Sequence, residues 1–253
     1  MGSPVDVELL HGRLGPEPAL EVALASVLLD AVARGDRGPV LRCYRPPPTV
    51  AFGRRDTFLS GFASAAGAAR GHGFVPVIRA PGGRAAAYDE GCVVLDEIMP
   101  AKDSLTGIQD RFAREAERQA QALRGLGIDA RVGEVPGEYC PGAFTVNAGG
   151  KKKLIGSAQR AVPGGWLLST VVVIESAARV RSVLEGVYDA LELEWDPATV
   201  GAVAEEAPGV RVDDVEHALL SAYAQRYRLF PATMPPDALT ASLKRVARHH
   251  VRE

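Results

Sequence analysis

With 253 residues, 47% of them hydrophobic, the chain is long enough to bury one sizeable core without disulfides or a structural metal, and too apolar to be disordered. Its 29 Lys and Arg against 31 Asp and Glu leave a formal charge of −2, which gives no basic footprint for a nucleic acid or an anionic membrane. Cys43, Cys92 and Cys140 are odd in number and about fifty residues apart, neither a disulfide framework nor a CxxC metal pair, so a reducing compartment is expected.

The amino terminus holds Asp6, Glu8 and Glu17 and no apolar run of signal-peptide type, and no stretch approaches the roughly 18 apolar residues of a membrane span. The sequence therefore reads as cytoplasmic, with no membrane or nucleic-acid partner and no metal site. Leu20, Ala23, Leu24, Val27 and Leu28 recur at helical spacing over residues 18–34, closed by Gly35. Residues 40–44 and 49–52 are short β-like runs, and Pro46-Pro47-Pro48 between them predicts a bent hairpin. An alanine-rich stretch, 57–70, reads as a second helix, and 74–78 as a strand running into Pro81-Gly82-Gly83.

Residues 92–98 read as another strand. Over 104–126, Leu105, Ile108, Phe112, Ala116, Leu123 and Leu126 fall on one helical face that ends at Gly127. Residues 128–132, 144–148, 153–161 and 166–174 are β-like and joined by glycine-containing turns, as in an antiparallel meander. After Glu175 the pattern predicts helices at 176–191, 197–206, 213–229 and 237–251, punctuated by Pro197, Pro208, Pro231 and Pro235-Pro236. The expected class is α+β, a mixed or antiparallel sheet flanked by helices, with residues 1–185 as the main domain and 186–253 as a helical C-terminal extension packed on it.

Three segments carry chemistry. In the first, Arg79 to Gly91, the pair Gly82-Gly83 follows a strand between Arg79 and Arg84 and precedes Tyr88-Asp89; glycines admit a ligand to the backbone, and the same residues also suit a tight turn with solvated arginines. It is no Walker A loop, lacking the Lys-Ser/Thr ending. In the second, Glu138-Tyr139-Cys140-Pro141-Gly142, a cysteine sits among polar and turn residues ahead of a strand. Cys43 and Cys92 lie in apolar runs and read as buried small hydrophobes, whereas Cys140 reads as a held, partly exposed thiol of the kind a nucleophile needs. In the third, Lys151-Lys152-Lys153 opens the strand Leu154-Ile155-Gly156-Ser157-Ala158-Gln159. Such a run is ordinarily a solvated hairpin tip, but one lysine at the strand entry, Lys153, can point inward, polarise a carbonyl and lower a nearby thiol's pKa.

Over about residues 18 to 185 the order and separation of these segments resemble the family of lipoate-protein ligases, biotin-protein ligases and the octanoyltransferases of lipoyl synthesis. Arg79 to Gly91 resembles its arginine- and glycine-rich acyl-binding loop, and Lys153 to Gln159 its Lys-x-x-Gly-Ser/Ile-Ala/Ser-Gln strand, the more specific of the two. Where the ligase pattern has a histidine this chain has Tyr88, and Tyr139-Cys140-Pro141-Gly142 resembles the Phe-Cys-Pro-Gly segment of the cysteine-dependent octanoyltransferases. The resemblance implies a lipoate/biotin ligase-like catalytic domain that moves an octanoyl or lipoyl group through a Cys140 thioester, with no cofactor required. The donor it implies is octanoylated glycine cleavage H protein or acyl carrier protein, and the acceptor a lysine of the lipoyl domains of 2-oxoacid dehydrogenase E2 subunits. Lys153 would stabilise the acyl oxygen, Arg79, Gly82, Gly83, Tyr88, Gly156, Ser157 and Ala158 would bind substrate, and the strand around Leu154 and Ile155 would wall the acyl chain. Arg84 receives no role. None of His11, His72, His217, His249 or His250 lies in a motif, so no Cys-His pair is expected, and the basic face of the last helix, with Lys244, Arg245 and Arg248, is solvated or docks an acidic carrier. The competing readings are an ATP-dependent lipoate ligase and a non-catalytic acyl-carrier binding protein.

Overall fold

The computed structural model describes residues 4–251. In chain order it comprises β1 (Val5–His11), α1 (Pro18–Arg34), β2 (Val40–Tyr44), β3 (Thr49–Phe52), α2 (Phe62–Gly71), β4 (Val75–Ile78), β5 (Ala86–Tyr88), β6 (Cys92–Ala101), α3 (Ile108–Arg124) and β7 (Ala130–Val132). It continues with β8 (Val146–Ala148), β9 (Lys152–Val162), β10 (Gly164–Val173), α4 (Ala177–Ala190), α5 (Val203–Glu206), α6 (Val212–Ala224), β11 (Tyr227–Ala232) and α7 (Pro236–Arg245). Eight strands form one mixed sheet in the order β11-β1-β2-β6-β10-β9-β8-β7, parallel from β11 to β2 and antiparallel beyond. The expected meander is its β10-β9-β8-β7 end, and the α+β class holds.

Alternation along β6 sorts the core. Val93 and Leu95 face α3 and α6, where Ala116, Ala120, Leu123, Val215 and Leu219 cover them, while Ile98 faces α1 and packs with Leu24 and Leu28. A second sheet, β4-β3-β5, is covered by α2 and α4 through Ala65, Ala69, Val183 and Val187. Residues 40–52 do not form the expected hairpin: β2 joins the large sheet and β3 the small one, so the Pro46-Pro47-Pro48 segment carries the chain from sheet to sheet. Proline supplies no ladder donor, which is why the run between the strands pairs with neither.

Helix boundaries also differ from expectation: α2 begins at Phe62 rather than at 57, and of the stretch 197–206 only the short α5 is α-helical. Asp103 accepts the backbone N–H groups of Leu105 (3.2 Å) and Thr106 (3.3 Å), a local turn that delays α3 to Ile108 and leaves Leu105 70% exposed. Val215, Leu219, Tyr223 and Tyr227 recur every fourth residue and mimic one helix face, yet α6 stops at Ala224 and Tyr227–Ala232 becomes the edge strand β11, parallel to β1. The segment after residue 186 therefore contributes a strand as well as helices. Among the described residues no helix is long and apolar enough to cross a membrane.

Candidate active site

Cys140 stands in the turn between β7 and β8 with φ 43, in the left-handed region that a residue with a Cβ seldom occupies. Bonds on both sides hold it there. Its N–H donates to the hydroxyl of Tyr188 (2.8 Å), and its C=O accepts from Lys153 Nζ (2.9 Å), as does the C=O of Tyr139 (3.0 Å). Lys153, at the start of β9 and buried, also pairs with Glu138 at 3.3 Å, and the other oxygen of that carboxylate accepts from Gly142 N–H (3.0 Å) and Thr145 Oγ1 (2.8 Å). Two of the ammonium hydrogens thus have carbonyl partners inside the cysteine turn, while Glu138 Oε2 pairs with the charge without a hydrogen bond. Gly156 does not reach the site itself; a Cβ there would sit 2.9 Å from Lys153 Cε, so it clears the path of the lysine.

The sulfur is surrounded by the loop that joins β4 to β5. Arg84 N–H donates to Sγ at 3.1 Å, and Arg79 Nη2 lies 3.6 Å from it while donating to Arg84 C=O at 2.8 Å. Gly83 has φ +100, and a Cβ on it would approach Sγ to 2.9 Å and Arg79 Nη2 to 2.5 Å. Arg84, for which sequence alone suggests no role, pairs through its side chain with the buried Asp56 (3.0 Å), whose other oxygen accepts Gly53 N–H (2.9 Å). Burial pushes the Cys140 thiol up, but the Arg79 charge, then Lys153, then the Arg84 N–H outweigh it and hold the thiol below its ordinary range. For Cys43 and Cys92 burial outweighs what would lower them, the Arg45 and Arg42 charges near the first and backbone hydrogen bonds at the second; it lifts Cys43 far above the ordinary thiol range and Cys92 to about 12.

A cavity of about 330 Å³ opens at the sulfur. Gly82, Gly83, Cys140, Lys153, Ser157 and Ala158 all line it, so six of the nine residues singled out from the sequence meet at one place. Its apolar wall is not the strand segment Leu154-Ile155, which is fully buried in the core, but Phe112 of α3 stacked on Phe144, ring centroids 5.9 Å apart and planes 2° from parallel. Tyr88 is absent from this cavity. It lines a smaller one of about 30 Å³ beside Tyr44, Val94 and Asp96, and Arg79 spans from there to the sulfur. Beneath lies a buried ion group in which Arg42 pairs with Glu21 and with Asp96.

Among the described residues no histidine lines either cavity, in line with the absence of a Cys-His motif. His249 instead bonds Ile78 C=O at 2.8 Å, and on the last helix Arg245 is spent on Asp30. His11, Cys43 and Glu216 bring donor atoms within 4.8 Å of one another, a cluster the sequence did not foresee; Arg45, paired with Glu216 and Asp213, already supplies a cation there. Glu138, Asp56 and Tyr188 are the site residues that sequence reasoning passed over. Only Glu138 lay within a segment singled out; the others reach Cys140 or its loop by folding alone.

Fold and site together define a lipoate-ligase-like α+β domain. The structure of a putative lipoate protein ligase from T. acidophilum with bound lipoic acid superimposes with a TM-score of 0.73 at 21% identity, covering 97% of this chain and 95% of that one. A lipoate-protein ligase A bound with ATP superimposes at a TM-score of 0.72 and 19% identity, covering 97% of this chain and 95% of that one. The lipoyl protein ligase A/B catalytic domain family matches residues 17–224, and the chain belongs to that family. Among its relatives is the octanoyl-[GcvH]:protein N-octanoyltransferase of Geobacillus kaustophilus, 30% identical over 162 residues, which are 64% of this chain and 57% of that protein. The enzyme of the same name from Exiguobacterium sibiricum is 26% identical over 216 residues, 80% of this chain and 76% of its own length.

Proposed function

We propose that the chain transfers an octanoyl or lipoyl group from a carrier protein to a lysine of a lipoyl domain through a thioester on Cys140. The observation that carries the reading is a half-buried thiol, held below its ordinary pKa range by Arg79 and Lys153, at the mouth of a cavity large enough for a lysine-borne acyl group. The relatives' name supports glycine cleavage H protein as the octanoyl donor. Lipoyl domains of 2-oxoacid dehydrogenase E2 subunits are the proposed acceptors, a pairing supported by the E2 lipoyl domain named with the structurally similar bipartite ligase of Thermoplasma acidophilum.

In the first step the Cys140 thiolate attacks the acyl carbonyl of the donor's modified lysine. The C–S bond forms, the C–N bond breaks, and the departing amine takes a proton from the solvent-open cavity. In the second the acceptor's neutral amine attacks the thioester, the C–N bond forms, the C–S bond breaks, and the proton returns to solvent as the thiolate is regenerated. No cofactor enters this balance. Arg79 and Lys153 supply positive charge where the carbonyl oxygen becomes negative, and the third N–H of Lys153, which faces Glu138 without a hydrogen bond, is the one open to that oxygen. Ser157 and Ala158 border the acyl path, and Gly82 and Gly83 let it run against the backbone.

The test is intact-protein mass spectrometry of wild type and Cys140→Ser after incubation with octanoylated H protein or octanoyl-acyl carrier protein. A hydroxylamine-labile octanoyl adduct on wild type alone, passed on to a lipoyl domain, is the expected result, and the reactive carrier identifies the donor. Absence of any adduct from both properly acylated carriers would sink the proposal and direct attention to ATP-dependent activation or to binding without turnover.

A further inference from the structure

We infer that Tyr188 of α4 is a positioning residue that sets the reactivity of the Cys140 thiol; its catalytic meaning rests on the reading of that thiol as the nucleophile. The hydroxyl of Tyr188 makes two bonds in opposite directions. It accepts Cys140 N–H at 2.8 Å and donates to Ala85 C=O at 3.0 Å. Ala85 directly follows Arg84, whose own N–H contacts Sγ at 3.1 Å. One oxygen therefore ties the cysteine turn, which belongs to the large sheet, to the glycine loop, which belongs to the small one, within a residue of the atoms that meet at the sulfur.

The arrangement has the features of a brace. Cys140 occupies a backbone conformation unfavourable to a side-chain-bearing residue, so something must hold it, and on its N-terminal side the holder is the Tyr188 hydroxyl. The ring has little freedom to withdraw: Tyr188 is 2% exposed and packs at 5.2 Å against Trp195, which in turn meets Tyr139 edge-on at 6.1 Å. Burial pushes its phenol well above the ordinary range, so the hydroxyl stays protonated and can donate to Ala85 while accepting from Cys140. A tyrosine that merely filled the core would be replaced without consequence by phenylalanine, which has the same ring. A brace would not, because the distances from Sγ to Arg84 N–H and Arg79 would relax.

The thiol of the full-length protein is titrated by its reaction rate with an aromatic disulfide as a function of pH, in wild type, Tyr188→Phe and Trp195→Phe. Trp195→Phe loosens the packing of the same ring and keeps the hydroxyl. Tyr188→Phe is expected to move the inflection upward and to slow the reaction at neutral pH by about threefold, which is a thiolate population about tenfold smaller, the equivalent of one net hydrogen bond, partly offset by the faster reaction of a more basic thiolate; octanoyl transfer should lose a similar factor in kcat with the donor KM unchanged. Trp195→Phe should lower the melting temperature and leave the pH profile in place. A wild-type profile in folded Tyr188→Phe overturns the inference, as does an equal displacement in both variants, which would mean that packing alone sets the thiol. Should Tyr188→Phe not fold, a displaced profile in Trp195→Phe overturns it and an unmoved one, with the hydroxyl retained and the packing loosened, supports it. Failure of wild type to accept an octanoyl group would refute the transferase reading while leaving these thiol profiles fully readable.

Discussion

Replacing Arg79 by glutamine removes the cation nearest the sulfur while keeping a polar side chain of similar reach. Its Nη2 lies 3.6 Å from Sγ, and the centre of the guanidinium charge is about an ångström further. At that separation two unit charges interact by about 1 kcal/mol in a water-like medium and about 4 kcal/mol at the effective dielectric constant typical near a protein surface. A half-buried site falls between, so about 2 kcal/mol, or a factor of about 30 in thiolate population, is expected to be lost. The more basic thiolate that remains is intrinsically faster, with a Brønsted slope of about 0.4–0.5, so the observed rate with an aromatic disulfide near neutral pH should fall by about sevenfold and its inflection should move upward. Cys43 and Cys92 are fully buried and do not compete for the reagent.

The same substitution has a signature in stability. A lowered thiol pKa stabilises the fold above the ordinary value of 9.0, and that contribution is lost as pH falls through the folded value. Arg79→Gln should therefore cost more in alkaline than in mildly acidic solution when urea denaturation is followed at several pH values. A variant that reacts at the wild-type rate with an unmoved inflection would refute the assignment of Arg79 as the main source of the thiol's acidity.

Gly83→Ala places a Cβ at φ +100 against both Sγ and Arg79, and should cost at least about 1–2 kcal/mol in urea denaturation together with most of the thiol reactivity. Gly82→Ala meets no atom within 4 Å and should stay within about 0.5 kcal/mol of wild type in the same assay. Lys153→Met leaves the buried Glu138 without its cation and should cost about 3–5 kcal/mol; adding Glu138→Gln should recover much of it, and a double-mutant cycle by urea denaturation measures the coupling.

The α+β class, the meander and the three chemical segments were legible because each is local: glycine pairs mark turns, period-two apolar runs mark strands, and a cysteine among turn residues stands apart from cysteines in apolar runs. What escaped is what sequence distance hides. The edge strand β11 pairs with β1 across almost the whole chain, and the spacing of Tyr223 and Tyr227 imitates a helix where the strand begins. Arg84 reads from the sequence as a solvated loop residue, yet folding sets it beside Asp56, and Tyr188, 48 residues from Cys140, carries no mark in the sequence. Tyr88 and Gly156 belong to matched motifs, yet one faces a separate small cavity and the other makes room for Lys153. A motif fixes the order of residues along the chain; only packing decides which of them meet the sulfur.

The crossing at Pro46-Pro47-Pro48 has a kinetic side. Because it divides the strands between two sheets, the Cys140 sulfur and the Arg79 that acidifies it belong to different sheets and meet only when those sheets dock. The large sheet alone brings Lys153 to the cysteine turn, but the Arg79 charge, the larger of the two, is added only across the sheets, where contacts between distant segments carry the larger loop-closure cost. The full acidity of the thiol thus depends on docking rather than on secondary structure alone.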